Sequence, residues 1–219
     1  GNYYDAEYRI KDEESTASDY SFGAFDDDRN FHKMKMKTVG DMWGTGLFKS
    51  NACDFCDDVT TELADISLGD AWLAPYNSDG LGTNVIVTRS LLADKLIRNG
   101  IDKGELYLEQ LDIERFKSSQ QGSFNHRHDG LKYRIDIKTK ENRLTPSCRK
   151  RFLVNIPFYF KLVQKERMNL RAQSLELWSV TKNAKDFENR INPLKDKLAK
   201  TTLIYHRIRK MKRILRRYL

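Results

Sequence analysis

The pattern of apolar residues changes near Pro146, and no other feature limits the fold as strongly. Before this point, short alternating or β-branched runs lie between glycine-containing turns, as is typical of strands. After it, apolar residues recur at helical spacing along highly charged stretches. The sequence therefore predicts the α+β class: a mixed β-sheet core with flanking helices to about residue 145, then a C-terminal helical extension.

Individual elements are predicted from the same patterns. Strands are expected at Tyr8–Ile10 and at 32–39, 64–70, 85–88 and 105–111. Helices are expected at 91–99, with Ser90 as N-cap and Gly100 as C-terminal stop, and from Asp112 to Ser119. Later helices are predicted at 149–171, interrupted near Pro157, and from residue 182 onward, with Pro193 as a break or a helix start.

The net charge of +8 is concentrated at the end of the chain, where residues 201–219 hold seven Arg and Lys and no acid. The rest of the chain sums to nearly neutral, so the basic pI describes a tail, and we predict no nucleic-acid partner. No apolar run of about 18 residues is present. The first residue is Gly, which suggests that the natural start lies elsewhere. Three cysteines are too few for a disulfide framework, and no secretory leader is visible, so a cytoplasmic location is expected.

The basic tail has an amphipathic helical pattern with two interpretations. The helix packs on its own domain with a solvated basic face, which is slightly favoured, or it associates with an anionic membrane surface or a partner. The second interpretation predicts a peripheral location at the inner membrane face. Because Pro193 can act as a hinge, we expect the helix to project from the core more than it packs on it.

Two cysteines, Cys53 and Cys56, stand three residues apart, so both sulfurs can converge on one metal ion. Two thiolates do not complete a site that needs about four ligands. Cys148 can join only if the fold returns it, and one residue separates His126 from His128, fewer than the usual minimum of three in a Cys2His2 zinc site. We rank iron–sulfur ligation with help from another segment first, free or disulfide-bonded thiols second and zinc last.

Polar residues and glycines follow the cysteines. Asp65, Ser67, Gly69 and Asp70 alternate with apolar residues, which by itself favours a half-buried edge strand. The loop with Gly80, Gly82 and Asn84 precedes a strand, whereas phosphate-binding loops usually follow one, so a turn is favoured over a phosphate cradle. The cluster Asn125–Asp129 reads as a solvated loop rather than an anion or metal site.

The stretch from Cys53 to Arg89 resembles the C-terminal domain of the coenzyme F-420 hydrogenase/dehydrogenase beta-subunit family. The resemblance is carried by the Cys-x-x-Cys pair and by the residues that follow it: Asp57, Ala64-Asp65-Ile66-Ser67, Gly69-Asp70, Gly80, Gly82, Asn84 and Arg89. A weaker resemblance continues to about residue 165. We therefore predict a domain of the family type over residues 1–165 and a helical extension over residues 166–219.

The resemblance implies an oxidoreductase that uses FAD and a 4Fe-4S cluster for electron or hydride transfer. It implies Cys53 and Cys56 as metal ligands. It implies as FAD contacts Asp65, Ser67, Gly69, Asp70, Gly82 and Asn84. Some relatives are encoded with surface-polysaccharide genes.

The implied partner is an N-terminal iron–sulfur and flavin region or an electron-donor subunit, and this chain alone is expected to hold neither cofactor. No catalytic residue is predicted. The alternative is a non-catalytic interaction domain that keeps the family scaffold.

Overall fold

A computed structural model describes residues 2–39, 42–181 and 183–218. Its strands are β1 (Tyr3–Ile10), β2 (Ser21–Asp26), β3 (Phe31–Lys35), β4 (Ile66–Asp70) and β5 (Asn84–Thr88). Its α-helices are α1 (Met42–Thr45), α2 (Leu91–Asp102), α3 (Ile113–Ser119), α4 (Gln121–Phe124), α5 (Leu131–Lys140), α6 (Phe158–Val180) and α7 (Ala184–Tyr218). A π-helix spans Asn125–Asp129, and short 3-10 helices span Met36–Val39, Asn51–Asp54, Tyr76–Ser78 and Lys150–Phe152.

The chain separates into two compact units. Unit 1 comprises Gly1–Gly40 and Asp58–Gly122, and unit 2 comprises Asp41–Asp57 and Ser123–Leu219. The predicted α+β class is confirmed. The predicted single mixed sheet is wrong for the described residues, whose strands form two antiparallel sheets in the orders β1-β2-β3 and β4-β5. The predicted domain boundary at residue 165 stays a prediction.

The three-stranded sheet of unit 1 has β2 at its centre. Tyr20, Ser21 and Ala24 are buried there. A Cβ on Gly23 would lie 2.4 Å from the Phe31 ring and 2.8 Å from the Ile10 side chain, so glycine leaves room for these two side chains. The sequence indicated only the end of β1 and missed β2, because the acidic and aromatic residues around them break the alternation. The strand expected at 32–39 stops at Lys35 and continues as a 3-10 turn.

The hairpin of β4 and β5 confirms two predicted strands. It pairs Ser67 with Val87 and Asp70 with Asn84. After β5, the Arg89 guanidinium donates to the Thr60 carbonyl at 2.8 Å, the Ala64 carbonyl at 3.2 Å and the Ser67 hydroxyl at 3.0 Å. One side chain therefore holds the hairpin to the loop that precedes it.

Helix α2 begins as predicted, because the Ser90 hydroxyl accepts from the Ala93 N–H at 3.3 Å. Its predicted end is wrong: Gly100 lies inside the helix, and the left-handed residue beyond it is Gly104, with φ of 70°. The strand predicted at 105–111 is also wrong. The backbone N–H groups of Glu105 and Leu106 both donate to the Gly100 carbonyl, so the chain folds back on α2 instead of extending.

Helices dominate unit 2, where α6 and α7 pack against each other. The helix predicted at 149–171 with an interruption near Pro157 begins only after that proline, as α6, and extends to Val180. Helix α7 runs through Pro193 without interruption, so the predicted break or start there is wrong. The core contains Ile156, Phe160, Val163, Leu170, Phe187, Ile191 and Leu198. Among the described residues, no helix is both long enough and apolar enough to traverse a bilayer.

Candidate functional site

The two predicted metal ligands lie in unit 2, on a short turn beside the π-helix and the buried faces of α5 and α6. Cys53 is in the 3-10 helix Asn51–Asp54, and Cys56 follows it. Cys53, Cys56 and Cys148 form no disulfide bond and are half-buried. We call the following residues the thiol–arginine centre: Lys49, Cys53, Asp54, Cys56, Asp57, His126, Arg127, Arg134, Cys148, Arg149 and Arg171.

The carboxylate of Asp54 is buried at the middle of this centre. Arg171 Nη1 donates to Asp54 Oδ1, and both side chains are nearly inaccessible to solvent. Burial holds the pKa of Arg171 below its usual value, while the charge of Asp54 acts in the opposite direction. Gly46 lies against this pair with φ of 62°, and a Cβ there would lie 2.8 Å from Arg171 Nε. Glycine at this position therefore leaves room for the guanidinium.

A second buried guanidinium, that of Arg134, has only neutral acceptors. Its side chain has 0% exposure. It donates to the Asp54 carbonyl at 2.7 Å, Gln164 Oε1 at 2.6 Å and the His126 carbonyl at 2.7 Å. Burial lowers the pKa of Arg134 to about 10, so it still carries a charge at neutral pH. No carboxylate oxygen takes part in these three hydrogen bonds.

His126 is neutral in this environment. Burial, followed by the charges of Arg134 and Arg171, lowers the pKa of His126 to about 2. Its approach of 3.6 Å to Asp54 Oδ1 is therefore not an ion pair at neutral pH. Lys49 Nζ and Arg171 Nη1, which are donors, each lie 3.5 Å from its Nε2. Nε2 therefore acts as the acceptor, and the proton is on Nδ1, a buried atom without a hydrogen-bond partner.

Cys56 and Asp57 contact arginines other than those that contact Asp54. Arg127 Nη1 donates to Cys56 Sγ at 3.3 Å. Arg149 Nε donates to Asp57 Oδ2 at 2.9 Å, and this hydrogen bond lowers the pKa of Asp57. Burial, with a further effect from Asp57, raises the pKa of the Cys148 thiol. The fold thus returns Cys148, nearly a hundred residues downstream, to the neighbourhood of the Cys53–Asp57 turn.

His128 contacts the part of the centre around Asp57. Its Nε2–H donates to the Asp57 carbonyl at 2.9 Å, and its ring stacks on Phe152 at 3.6 Å between centroids. The guanidinium carbons of Arg149 and Arg151 each lie 4.7 Å from the Phe152 ring centroid. This contact positions a basic segment that the sequence indicated only weakly.

Positive charge exceeds negative charge in the thiol–arginine centre. Two carboxylates, Asp54 and Asp57, lie among five cations: Lys49, Arg127, Arg134, Arg149 and Arg171. Burial and then the Arg171 charge lower the pKa of Lys49. Arg134 is fully buried with neutral acceptors, and a buried charge without an opposite charge beside it costs several kcal/mol. The centre is therefore suited to an anionic group, thiolates included.

The ligand set for a metal is incomplete in the described part of the chain. No group of three or more His, Cys, Asp or Glu side chains there is arranged to hold a metal ion. The zinc alternative has no ready site for the same reason. Cys53 and Cys56 provide half of the ligands that a 4Fe-4S cluster requires. A cluster at this turn fits only if further ligands come from elsewhere.

The residues predicted to contact FAD lie in unit 1 and already have structural contacts. The Ser67 hydroxyl accepts from Arg89, and Asp70 Oδ2 accepts from Arg9 Nη2 at 2.8 Å. Asp65 is exposed, and its backbone carbonyl accepts from the Arg89 N–H at 2.8 Å.

The remaining predicted FAD contacts are on or beside the hairpin. Asn84 is exposed opposite Asp70, and Gly69 lies beside Gln120, whose amide donates to the Asp70 carbonyl at 2.8 Å. Gly82 has φ of 81°, which is the conformation of a turn that requires glycine.

The space beside these residues is small. The pocket that Ser67, Gly69 and Gln120 help to line has a volume of about 30 Å³. That is roughly the volume of one water molecule, whereas ligand pockets usually measure about 300–1,000 Å³. A flavin does not fit this pocket as it stands.

Sequence reasoning found the cysteines and missed most of their surroundings. Arg134 follows Asp54 by 80 positions in the chain, and Arg171 follows Arg134 by 37. No local pattern identifies the three residues as partners. Asn125–Asp129, expected as a solvated loop, is a π-helix whose side chains are half-buried. A π-helix is an uncommon element that often lies at functional sites.

No curated protein and no solved structure matches the chain. The model of the family described as the C terminus of the beta subunit of coenzyme F420 hydrogenase/dehydrogenase matches residues 4–114. This match covers half of the chain and includes the cysteine turn and both sheets. It ends before residue 165, to which the weaker resemblance was extended. The chain belongs to this family of C-terminal domains from the coenzyme F420 hydrogenase/dehydrogenase beta subunit.

Proposed function

We propose that the chain is a redox module in which Cys53 and Cys56 provide two ligands of a 4Fe-4S cluster. The remaining ligands would come from an N-terminal iron–sulfur region or an electron-donor subunit. The observation that supports this most strongly is the thiol–arginine centre, where two cysteines three residues apart, neither of them in a disulfide, lie among more cations than carboxylates. A thiolate-ligated cluster is anionic, so it would offset the excess positive charge.

The chain's own residues have three roles in this proposal. The turn formed by residues 51–56 presents the sulfurs. The guanidinium of Arg127 donates to Cys56 Sγ, a contact of the kind that raises the reduction potential of a cluster. Arg134 donates to the Asp54 carbonyl and Arg171 donates to the Asp54 carboxylate. These hydrogen bonds hold the turn, so the sulfurs keep their positions. When bound, a cluster supplies one-electron transfer.

Dependence on FAD is a separate part of the proposal and is based on family membership. Because a flavin does not fit the small pocket at Ser67 and Gly69, its site would have to be completed by another segment or subunit. Electron or hydride transfer and a link to surface-polysaccharide metabolism stay predictions from the resemblance, which names no acceptor.

A second candidate is a non-catalytic interaction domain that keeps the family scaffold. It is favoured by the hydrogen bonds that already use Ser67 and Asp70, and by the lack of a complete metal site in the described ranges. The two candidates differ in what the complete natural protein contains. Flavin absorption bands and a broad iron–sulfur shoulder after anaerobic purification support the redox module, and absence of both supports the interaction domain.

The test of ligand identity compares cysteine variants of the complete protein. We expect Cys53→Ser combined with Cys56→Ser to remove at least half of the bound iron and the visible shoulder. Cys148→Ser tests whether this third thiol, which the fold brings near the turn, is a further ligand: bound iron falls if it is one and stays unchanged if it is not. Iron content, measured per mole of protein, should be compared with circular dichroism to show that each variant folds. Unchanged iron in the double variant would contradict the assignment.

A further inference from the structure

The side of α7 that faces the core extends to Ile208. Phe187, Ile191 and Leu198 are buried at helical spacing, and Tyr205 stacks on Phe160 at 5.0 Å between centroids. The same three- and four-residue spacing leads next to Ile208, which is half-buried, and then to the exposed Arg209 and Lys212. Beyond Ile208, this side of the helix therefore changes from apolar to cationic.

The apolar residues of the last turns lie on another side. Exposure is between 42% and 60% for Leu203, Ile204, Met211, Ile214 and Leu215. Positions 204, 211 and 215 follow one helical stripe, and 203 and 214 lie beside it. We call these five residues the outer stripe. Because they do not continue the buried series, the core of unit 2 does not use them.

Charge surrounds the outer stripe. Residues 201–219 include seven Arg and Lys and no acid. A groove of about 850 Å³ runs beside the helix. Its lining combines aromatic and cationic side chains, among them Tyr159, Tyr205, Arg209, Lys210 and Lys212. Tyrosine, Arg and Lys next to exposed apolar residues are the composition of helices that lie in the headgroup region of a bilayer.

We propose that residues 201–218 of α7 bind the surface of an anionic lipid bilayer. The outer stripe enters the boundary between headgroups and acyl chains, and the flanking cations contact the phosphates. A second copy of this chain fits the surface less well. In a two-fold symmetric contact the same patch meets itself, which would bring two sets of seven cations together without an acid to separate them. This proposal does not depend on any cofactor.

The test uses the full chain and co-sedimentation with vesicles of phosphatidylcholine, alone or mixed with phosphatidylglycerol. We expect binding only to the mixed vesicles, and weaker binding in high KCl. Removal of two flanking charges in Arg207→Gln/Lys210→Gln should lower the partition coefficient roughly thirtyfold, at about 1 kcal/mol per cation. The matched control Lys195→Gln/Lys200→Gln removes two charges from an earlier part of α7 and should bind within about threefold of the unchanged chain.

A second pair of variants tests the outer stripe. Ile204→Ser/Leu215→Ser keeps every charge and should bind roughly tenfold or more weakly. Leu175→Ser/Val180→Ser, at exposed positions of α6, is its control and should bind normally. Equal binding to neutral vesicles, indifference to salt, or equal loss in the controls would overturn the proposal. A different result would also overturn it: the chain does not bind vesicles, ultracentrifugation shows a dimer, and the outer-stripe variant abolishes that dimer.

Discussion

At the scale of residues, unit 2 contains more buried cations than buried carboxylates. Arg134 is fully buried among neutral acceptors, and Arg171 has Asp54 as its charged partner. Such an arrangement is costly in a folded chain, and proteins retain it mainly where a ligand or another function uses the charge. Burial, together with the charges of Arg134 and Arg171, lowers the pKa of His126 and keeps it neutral, and this gives the centre a measurable pH dependence.

The first prediction concerns that pH dependence. In the unfolded chain His126 takes up a proton below about pH 6.5, whereas in the folded chain its pKa is about 2. Below pH 6.5 the unfolded state therefore binds more protons, so stability falls as pH falls. Between pH 7 and pH 5 this group should lower the unfolding free energy by about 2 kcal/mol. His126→Gln should lack this contribution.

Urea unfolding at pH 7, 6 and 5 measures the effect. The control is His206→Gln, at an exposed position of α7, which should keep the pH slope of the unchanged chain. If the His126→Gln chain loses as much stability with acid as the unchanged chain, His126 is not the buried neutral group that the structure indicates.

At the scale of elements, local signals were accurate wherever a local hydrogen bond decides the structure. Ser90 caps α2 as expected, and the helix expected from Asp112 forms with Asp112 as its cap, because a cap is formed within three residues. The strand expected at 105–111 does not form, although apolar residues alternate there, because the backbone N–H groups at its start bond to the Gly100 carbonyl. The sequence showed the cysteine motif, but it did not predict the contacts of Arg134 and Arg171 with Asp54, because these contacts are made only by the folded chain.

Pro193 provides the prediction at this scale. It lies inside α7, where proline has no N–H to donate to the carbonyl four residues earlier and crowds that turn. Pro193→Ala should therefore stabilise the chain by about 1–3 kcal/mol, as measured by urea unfolding. Lys200→Ala, at an exposed position of the same helix, should change stability by less than about 0.5 kcal/mol. A destabilised Pro193→Ala chain would show that α7 needs the proline for its path.

At the scale of the whole molecule, charge is divided between the two units. Unit 1 has 12 basic and 20 acidic residues, a net charge of −8, and unit 2 has 27 and 11, a net charge of +16. The near-neutral sum outside residues 201–219 is therefore a cancellation between units. The basic character extends through unit 2, from the thiol–arginine centre to the end of α7. A net charge of this size repels itself and weakens the compact state.

The last prediction follows from that repulsion. Between about 0.01 M and 0.1 M salt the Debye length falls from roughly 30 Å to 10 Å, so repulsion across unit 2 is screened while contacts at hydrogen-bond distance are affected less. We expect the urea midpoint of the full chain to rise with KCl over this range. Urea is the suitable denaturant because it carries no charge. In Lys195→Gln/Lys200→Gln, which lowers the charge of unit 2 by two, the rise should be smaller. A midpoint that falls with KCl would mean that the ion pairs in both units, such as Arg9 with Asp70 and Arg149 with Asp57, contribute more to stability than the repulsion removes.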